Sequence, residues 1–425
     1  MQVMARPTYG EGQELKDREK GKDLKEREAP RALSYDAINR FKTDPAAYLT
    51  EVINEFVETS PLNWAAPFNH PLFRTPVAIA FGDGDSPEFL DIKKKYPYTL
   101  TPREWMELAL NAPMPPIDPT CPTPSGEQQE QRNIPMVRPE FHPDGSVTWP
   151  DGEPPLPPWE EKPFEAFALG IVKPELKNVT CISIGLPVHP KIVHAECNLK
   201  EWHFLGSPEY TLNSRVGAHG GVLATVAQYV DRLLQWMGHA TCVPYLSFWY
   251  GLRWVQQYFQ YAGPTSRTPV IPYPDRLYAV AAGLGTFGIN DMVITKEGMA
   301  VYLVTVFTDA KILPTPKPTQ EYCLWYRNKS CSRCVDVCPT KAIYTATPNT
   351  GKPGRLAARC HMAPEAMVHY KRKYLKDKLK QAFGDWAEAG NMNFVAAGGA
   401  SGTIGEYSAC GQCMCNVPCA TEVPE

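Results

Sequence analysis

Cys331-Ser332-Arg333-Cys334-Val335-Asp336-Val337-Cys338-Pro339 constrains this chain more than any other stretch. Cysteines spaced two and then three residues apart, with proline directly behind the last, form the ferredoxin-type pattern for cubane iron–sulfur clusters. In that pattern the leading cysteines wrap one cluster and the last crosses to a second. Structural zinc sites instead pair C-x2-C units across a longer loop, and inert thiols are the remaining alternative. A complete run would begin at position 328, which is Asn328; Cys323, five residues further back, can supply the missing thiolate through an enlarged loop. Otherwise three cysteines would hold a cluster with one open iron.

Nine of the 13 cysteines fall after residue 320. A second group, Cys410, Cys413, Cys415 and Cys419, stands near the C-terminus, with Cys360 alone between the groups. Two cubane clusters need eight thiolates. Cys323, Cys331, Cys334, Cys338, Cys360, Cys410 and Cys413 give seven, and Cys415 and Cys419 compete for the last place. Cys419 is favoured for its longer reach, although regular spacing would end at Val417 and the proline precedes Cys419. A chain of 425 residues is too long for a disulfide scaffold, and its N-terminus shows neither a secretory apolar run nor a twin-arginine pair, so a cytoplasmic metalloprotein is expected.

The rest of the chain divides into three. Residues 1–163 read as an N-terminal extension wrapping the core. It holds a charged arm (11–29), two short helices broken at Asp44-Pro45, and a stretch from Ala112 to Pro163 with 15 prolines in 52 residues. Such density excludes regular helix or central strand; Phe141, Trp149 and Trp159 could anchor it. Residues 164–310 read as an α/β (α+β) catalytic domain. There Val179–Val188 is a buried strand, Val222–Met237 an amphipathic helix closed by Gly238, and Leu246–Phe259 a second helix. Residues 311–425 form the iron–sulfur unit. A net charge of −3 gives no footing for a nucleic-acid partner, and no apolar run is long enough to span a membrane.

Gly283-Leu284-Gly285-Thr286-Phe287-Gly288 matches the dinucleotide fingerprint, which binds pyrophosphate only between a preceding strand and a following helix. Here Arg276–Ala282 reads as helix and Met292–Thr295 as strand. The order is inverted, and a tight turn letting backbone approach a flat ligand fits better.

Ala281-Ala282-Gly283-Leu284-Gly285, Gly288, Val293-Ile294-Thr295, Thr308-Asp309, Tyr322-Cys323 and the Cys331–Pro339 run, in this order, resemble the catalytic subunit of cobalamin-dependent reductive dehalogenases over roughly residues 165–425. Epoxyqueuosine reductase, a related family, shares the glycine turn and paired clusters. The resemblance implies a corrinoid on a nitroreductase-like domain, two 4Fe-4S clusters on an appended ferredoxin-like domain, and removal of halide from a small organohalide. An external low-potential donor such as ferredoxin or flavodoxin would supply the electrons. Ala282, Gly283, Leu284, Gly285, Gly288 and Asn290 would then meet the corrinoid, which no histidine of D-x-H-x-x-G context is present to ligate. The family's proton-donating tyrosine has no clear counterpart. His219, Tyr210 and Tyr245 are the candidates, with Arg253, Arg267 or Arg276 as the nearby cation. The rivals are an epoxyqueuosine-type corrinoid reductase and a ferredoxin-like electron carrier with no substrate of its own. Aromatic residues between Tyr245 and Tyr261 suggest an apolar pocket.

Overall fold

Asp44 ends one helix and caps the next. Its Oδ1 accepts from the Ala47 N–H at 2.9 Å and Pro45 takes the first helical turn, so α1 (Tyr35–Thr43) and α2 (Pro45–Thr59) meet at the predicted break. The protein, seen in a computed structural model, is described for residues 35–64, 70–95, 99–111, 140–141, 147–148, 176–198, 206–207, 209–210, 213–214, 221–244, 274–339, 341–347, 351–355 and 410–425. The charged arm, Trp149, Trp159 and the Leu246–Phe259 helix lie outside them.

β1 (Ala78–Asp83), α3 (Pro87–Lys95) and α4 (Pro102–Asn111) follow, then the two-residue ladder of β2 (Glu140–Phe141) and β3 (Val147–Thr148). Next come β4 (Thr180–Pro187), α5 (Pro190–Cys197), α6 (Leu223–Trp236), β5 (Thr241–Cys242) and α7 (Asp275–Ala281). The hairpin of β6 (Gly285–Phe287) and β7 (Val293–Thr295) leads into β8 (Val301–Thr308). The cysteine unit holds α8 (Leu324–Asn328), α9 (Arg333–Asp336), the ladder of β9 (Ile343–Tyr344) and β10 (Gly354–Arg355), and α10 (Gln412–Cys415).

The main sheet has the order β1-β4-β8-β5, and every pair is antiparallel, with Ile182 opposite Val306 and Ile184 opposite Val304 at its centre. Side chains of a strand alternate between faces. Ile182, Ile184, Leu186, Val304 and Val306 join α1, α2 and α6 in one core, while Cys181 and Phe307 join Trp105 and Met106 of α4 and Tyr278 and Ala279 of α7 in another. All eight residues of β4 are buried. That is why it reads in sequence as one apolar run without alternation. The fold is mixed α and β, as expected. The sequence reading left β1, α3 and α4 unassigned, and they make the N-terminal stretch part of the core. Among the described residues no helix is long and apolar enough to cross a membrane.

Candidate iron–sulfur centre

Cys323 is the N-cap residue of α8. The helix runs to Asn328, whose Oδ1 accepts from the Ser330 N–H at 3.0 Å, and Lys329 takes a left-handed conformation at φ 62° that turns the chain back. The reversal brings Cys331 and Cys334 beside Cys323. The position where a regular run has cysteine is thus occupied by a turn-forming asparagine, with the thiol displaced by one short helix.

The fourth thiol comes from the other end of the unit. Cys323, Cys331, Cys334 and Cys419 line one open-mouthed pocket, together with Gly288, Ile289, Asn290, Met299, Val417 and Pro418. The two cysteines that depart from the regular spacing, Cys323 instead of position 328 and Cys419 instead of position 417, therefore meet at the same pocket. Cys415 lies elsewhere: it is buried in the main core, where its carbonyl accepts from the Cys197 thiol at 3.1 Å.

Cys419 is held by the sheet domain. Met299 N–H donates to the Cys419 carbonyl at 2.7 Å and Ala300 N–H to that of Ala420 at 2.9 Å. Gly298, at φ +93°, has no room for a side chain, since a Cβ there would stand 2.4 Å from the Ala420 oxygen. Arg74 donates to Glu297 Oε2 at 2.9 Å and to the Thr421 carbonyl at 3.0 Å.

Burial, reinforced by neighbouring cysteines, raises the Cys334 thiol and pushes Cys419 up to about 12. Buried thiols such as Cys334 and Cys419 resist ionising, and iron would supply the positive charge that lets them do so. Among the described residues no three His, Cys, Asp or Glu side chains converge on one ion, whereas zinc gathers its thiolates at about 2.3 Å. Four cysteines lining one pocket are the donor set a 4Fe-4S cluster would need.

A second group adjoins the first. Cys338 is buried with Ile289, Ala342 and Ile343, and Cys413 packs against that cluster. The Ala342 N–H donates to Cys338 Sγ at 3.3 Å, a contact suited to a thiolate. Cys410 is exposed, and Cys360 lies outside the described residues.

The glycine turn has the inverted order expected, helix α7 before it and the β6–β7 hairpin after it, so no helix N-terminus meets an anion there. Its glycines are filled by the chain itself. A Cβ at Gly283 would meet the Thr315 carbonyl at 3.0 Å, one at Gly285 the Ile294 carbonyl at 2.0 Å, and one at Gly288 Asn290 Oδ1 at 2.6 Å. Ala282 and Leu284 are buried in the second core. Asn290, wholly buried, donates to the Cys413 carbonyl at 2.8 Å. The turn braces both cysteine groups: Asn290 bonds the Cys413 carbonyl and Thr286 Oγ1 accepts from the Tyr322 N–H.

Of the candidate proton donors, Tyr210 is buried at 2% exposure, and burial raises its phenol well above the ordinary value. Its hydroxyl donates to Met414 Sδ at 3.7 Å, next to the second cysteine group. His219, Tyr245, Arg253 and Arg267 lie outside the described residues. Arg276 donates to the Asp291 carbonyl at 2.9 Å. Glu196, which the sequence did not single out, is buried among the second group's neighbours. No local motif marks it, because its partners Gly411 and Gln412 lie more than 200 residues away.

No protein-family model matches the chain. Part of it is similar to epoxyqueuosine reductases: 38% identity over 73 residues with that of Atelocyanobacterium thalassa, and 36% over 73 with that of Cyclobacterium marinum. These matches take in 17% of this chain and 22% of each relative; that of Bacillus anthracis is 37% identical over 70 residues, 16% of this chain and 17% of its own. A selenomethionine-labelled epoxyqueuosine reductase structure aligns with 76% of this chain and 56% of its own at TM-score 0.31 and 16% identity. The Streptococcus thermophilus enzyme aligns with 70% and 57% at TM-score 0.28 and 17% identity. The matched stretch spans about a fifth of the curated relatives' length, so the kinship shown is local, and it lies with epoxyqueuosine reductases.

Proposed function

We propose that this chain is an iron–sulfur oxidoreductase of the epoxyqueuosine reductase kind, passing electrons one at a time through two cubane clusters to an epoxide-bearing substrate. The observation that carries the reading is the meeting of Cys323, Cys331, Cys334 and Cys419 at one pocket, although their spacing is irregular in sequence. These four would hold the first cluster. Cys338, Cys410 and Cys413, with Cys360, would hold the second. Asn290 lines the first pocket and bonds the backbone of Cys413, so it would fix the two clusters relative to each other. Reducing an epoxide takes up two electrons and two protons, and clusters that each carry one electron suit delivery in two steps.

A corrinoid, as the electron-rich centre that attacks carbon, belongs to this reading through the resemblance of residues 281–339; no described residue is assigned to hold it. A nitroreductase-like fold for the catalytic domain, a ferredoxin-like fold for the cysteine unit, and an external ferredoxin or flavodoxin as donor complete the reading. The net charge of −3 favours recognition of the modified base itself over a long phosphate backbone. The relatives found are epoxyqueuosine reductases, so the organohalide expected from the sequence gives way to an epoxide.

Anaerobic purification with iron, sulfide and cobalt analysis, followed by turnover of epoxyqueuosine against an organohalide, tests the reading. About eight iron and eight sulfide per chain are expected, on the stoichiometry of two cubanes, with epoxide consumption that depends on added cobalamin. Roughly one zinc without sulfide would overturn it. Halide release without epoxide turnover would restore the dehalogenase.

A further inference from the structure

Glu196, the penultimate residue of α5, is wholly buried. Its Oε2 accepts from the Ser207 N–H at 2.6 Å, and its Oε1 accepts from the Gly411 N–H at 3.0 Å and from Gln412 Nε2 at 3.0 Å. Gln412 Nε2 also donates to the Glu196 backbone carbonyl at 2.8 Å. Burial raises the Glu196 pKa, while the donors from Ser207, Gly411 and Gln412 oppose that shift by stabilising the ionised carboxylate; all its contacts are donors, and no described cation pairs with it. Burying an unpaired carboxylate is costly unless its hydrogen bonds are satisfied. Here two of the three donors to the carboxylate belong to the residues between Cys410 and Cys413, and the third is the Ser207 N–H.

The same corner is closed from above. Ser207 Oγ accepts from the Tyr210 N–H at 3.1 Å, and the Tyr210 ring lies so close over Gly411 that a Cβ there would stand 2.5 Å from it. The Gly411 backbone is thus clamped between a carboxylate and an aromatic ring. Cys410 and Cys413 flank the clamp directly. The first pocket is held by a different device, the contacts of Cys419 and Ala420 with Met299 and Ala300.

We infer that Glu196 is a positioning residue for the second cluster: it sets the Cys410–Cys413 loop in its ligating shape and places a carboxylate beside that cluster. The inference rests on the proposed function only in taking Cys410 and Cys413 as ligands. In Glu196→Leu the loop loses its two bonds to the carboxylate, from the Gly411 N–H and from Gln412 Nε2, and Ser207 N–H loses its acceptor. In Glu196→Gln the remaining oxygen still accepts from Gly411 and Gln412, while the charge is gone.

The test uses the full chain, reconstituted anaerobically with iron and sulfide, and reads iron content, EPR of the reduced protein and the midpoint potential of each cluster. Wild type should hold about eight iron and Glu196→Leu about four, with one EPR signal lost and the other kept. Glu196→Gln should keep both signals, with one potential raised, because negative charge near a cluster lowers its potential. Full iron in Glu196→Leu would overturn the inference alone. Should Glu196→Leu fail to fold, two unshifted potentials in Glu196→Gln would overturn it instead. A wild type without sulfide would overturn the proposed function, and this inference with it.

Discussion

Cys323 reaches the first pocket because α8 is inserted between it and Cys331, and Asn328 is spent on the turn that follows. Changing Cys323 to Ala should therefore cost the first cluster or leave it with three thiolates. Iron analysis should show a fall from about eight toward four, or EPR a three-iron signal. Adding Asn328→Cys should not restore it, because position 328 is exposed and does not line the pocket; recovery of full iron in the double variant would contradict this placement. A second residue-scale effect lies at His189, which N-caps α5 with Nδ1 accepting from the Lys191 N–H at 3.3 Å and stacks on His70 at 4.6 Å. Burial, then His70, Lys191 and Arg74, lower its pKa in the folded protein. The unfolded ring takes its proton near pH 6.5, the folded ring only at lower pH. Stability should thus fall as pH drops through 6.5 and level off once the folded ring is protonated and its cap is lost. His189→Asn keeps a capping acceptor without a proton to gain. Thermal melts between pH 7.5 and 5.5 should show a flatter slope for this variant, by up to about 1 kcal/mol.

At the scale of elements, the β6–β7 hairpin shows both what the sequence disclosed and what it withheld. Helix α7 before the turn and β7 after it were legible from periodicity, as were β4, β8 and α6, because each is a local apolar pattern ended by a local signal such as Gly238. The glycines were legible as a close approach, but not what approaches them. At Gly285 it is the Ile294 carbonyl, a contact made across the hairpin. Thr286 Oγ1 in turn accepts from the Tyr322 N–H at 2.9 Å, tying the hairpin to the start of the cysteine unit. Gly285→Leu should consequently disrupt the hairpin and lower cluster content with it, visible as lost iron and a reduced melting temperature. A folded variant with full iron would show that the hairpin tolerates the side chain. β1 was illegible for another reason: its residues Ala78–Asp83 are small and mixed, and their burial is imposed by pairing with β4, about 100 residues away. Pairings of that kind leave no local mark, and Cys419 with Cys323 is another.

Over the whole molecule, the chain's distant segments close on the first pocket. Arg74, just before β1, bonds Glu297 ahead of β8 and Thr421 near the last residue, so one guanidinium joins three parts of the chain. Its ion pair with Glu297 is about one-fifth exposed on each side, partly sheltered from the screening that makes surface pairs worth little. Two residues from Thr421 stands Cys419, the proposed ligand whose place departs from the regular spacing. Holding the tail would therefore hold the proposed first cluster. Arg74→Ala should destabilise the protein by about 1–3 kcal/mol, the range for lost hydrogen bonds to a charged group, and should loosen the first cluster while leaving the second, which depends on Glu196, Tyr210 and Asn290. The measurement is iron release to a chelator under anaerobic conditions, followed together with the EPR signals. Two phases are expected, about four irons leaving faster in Arg74→Ala than in wild type and four at an unchanged rate. A single phase accelerated for all the iron would mean that the two clusters share one support, and that the tail does not serve the first pocket in particular.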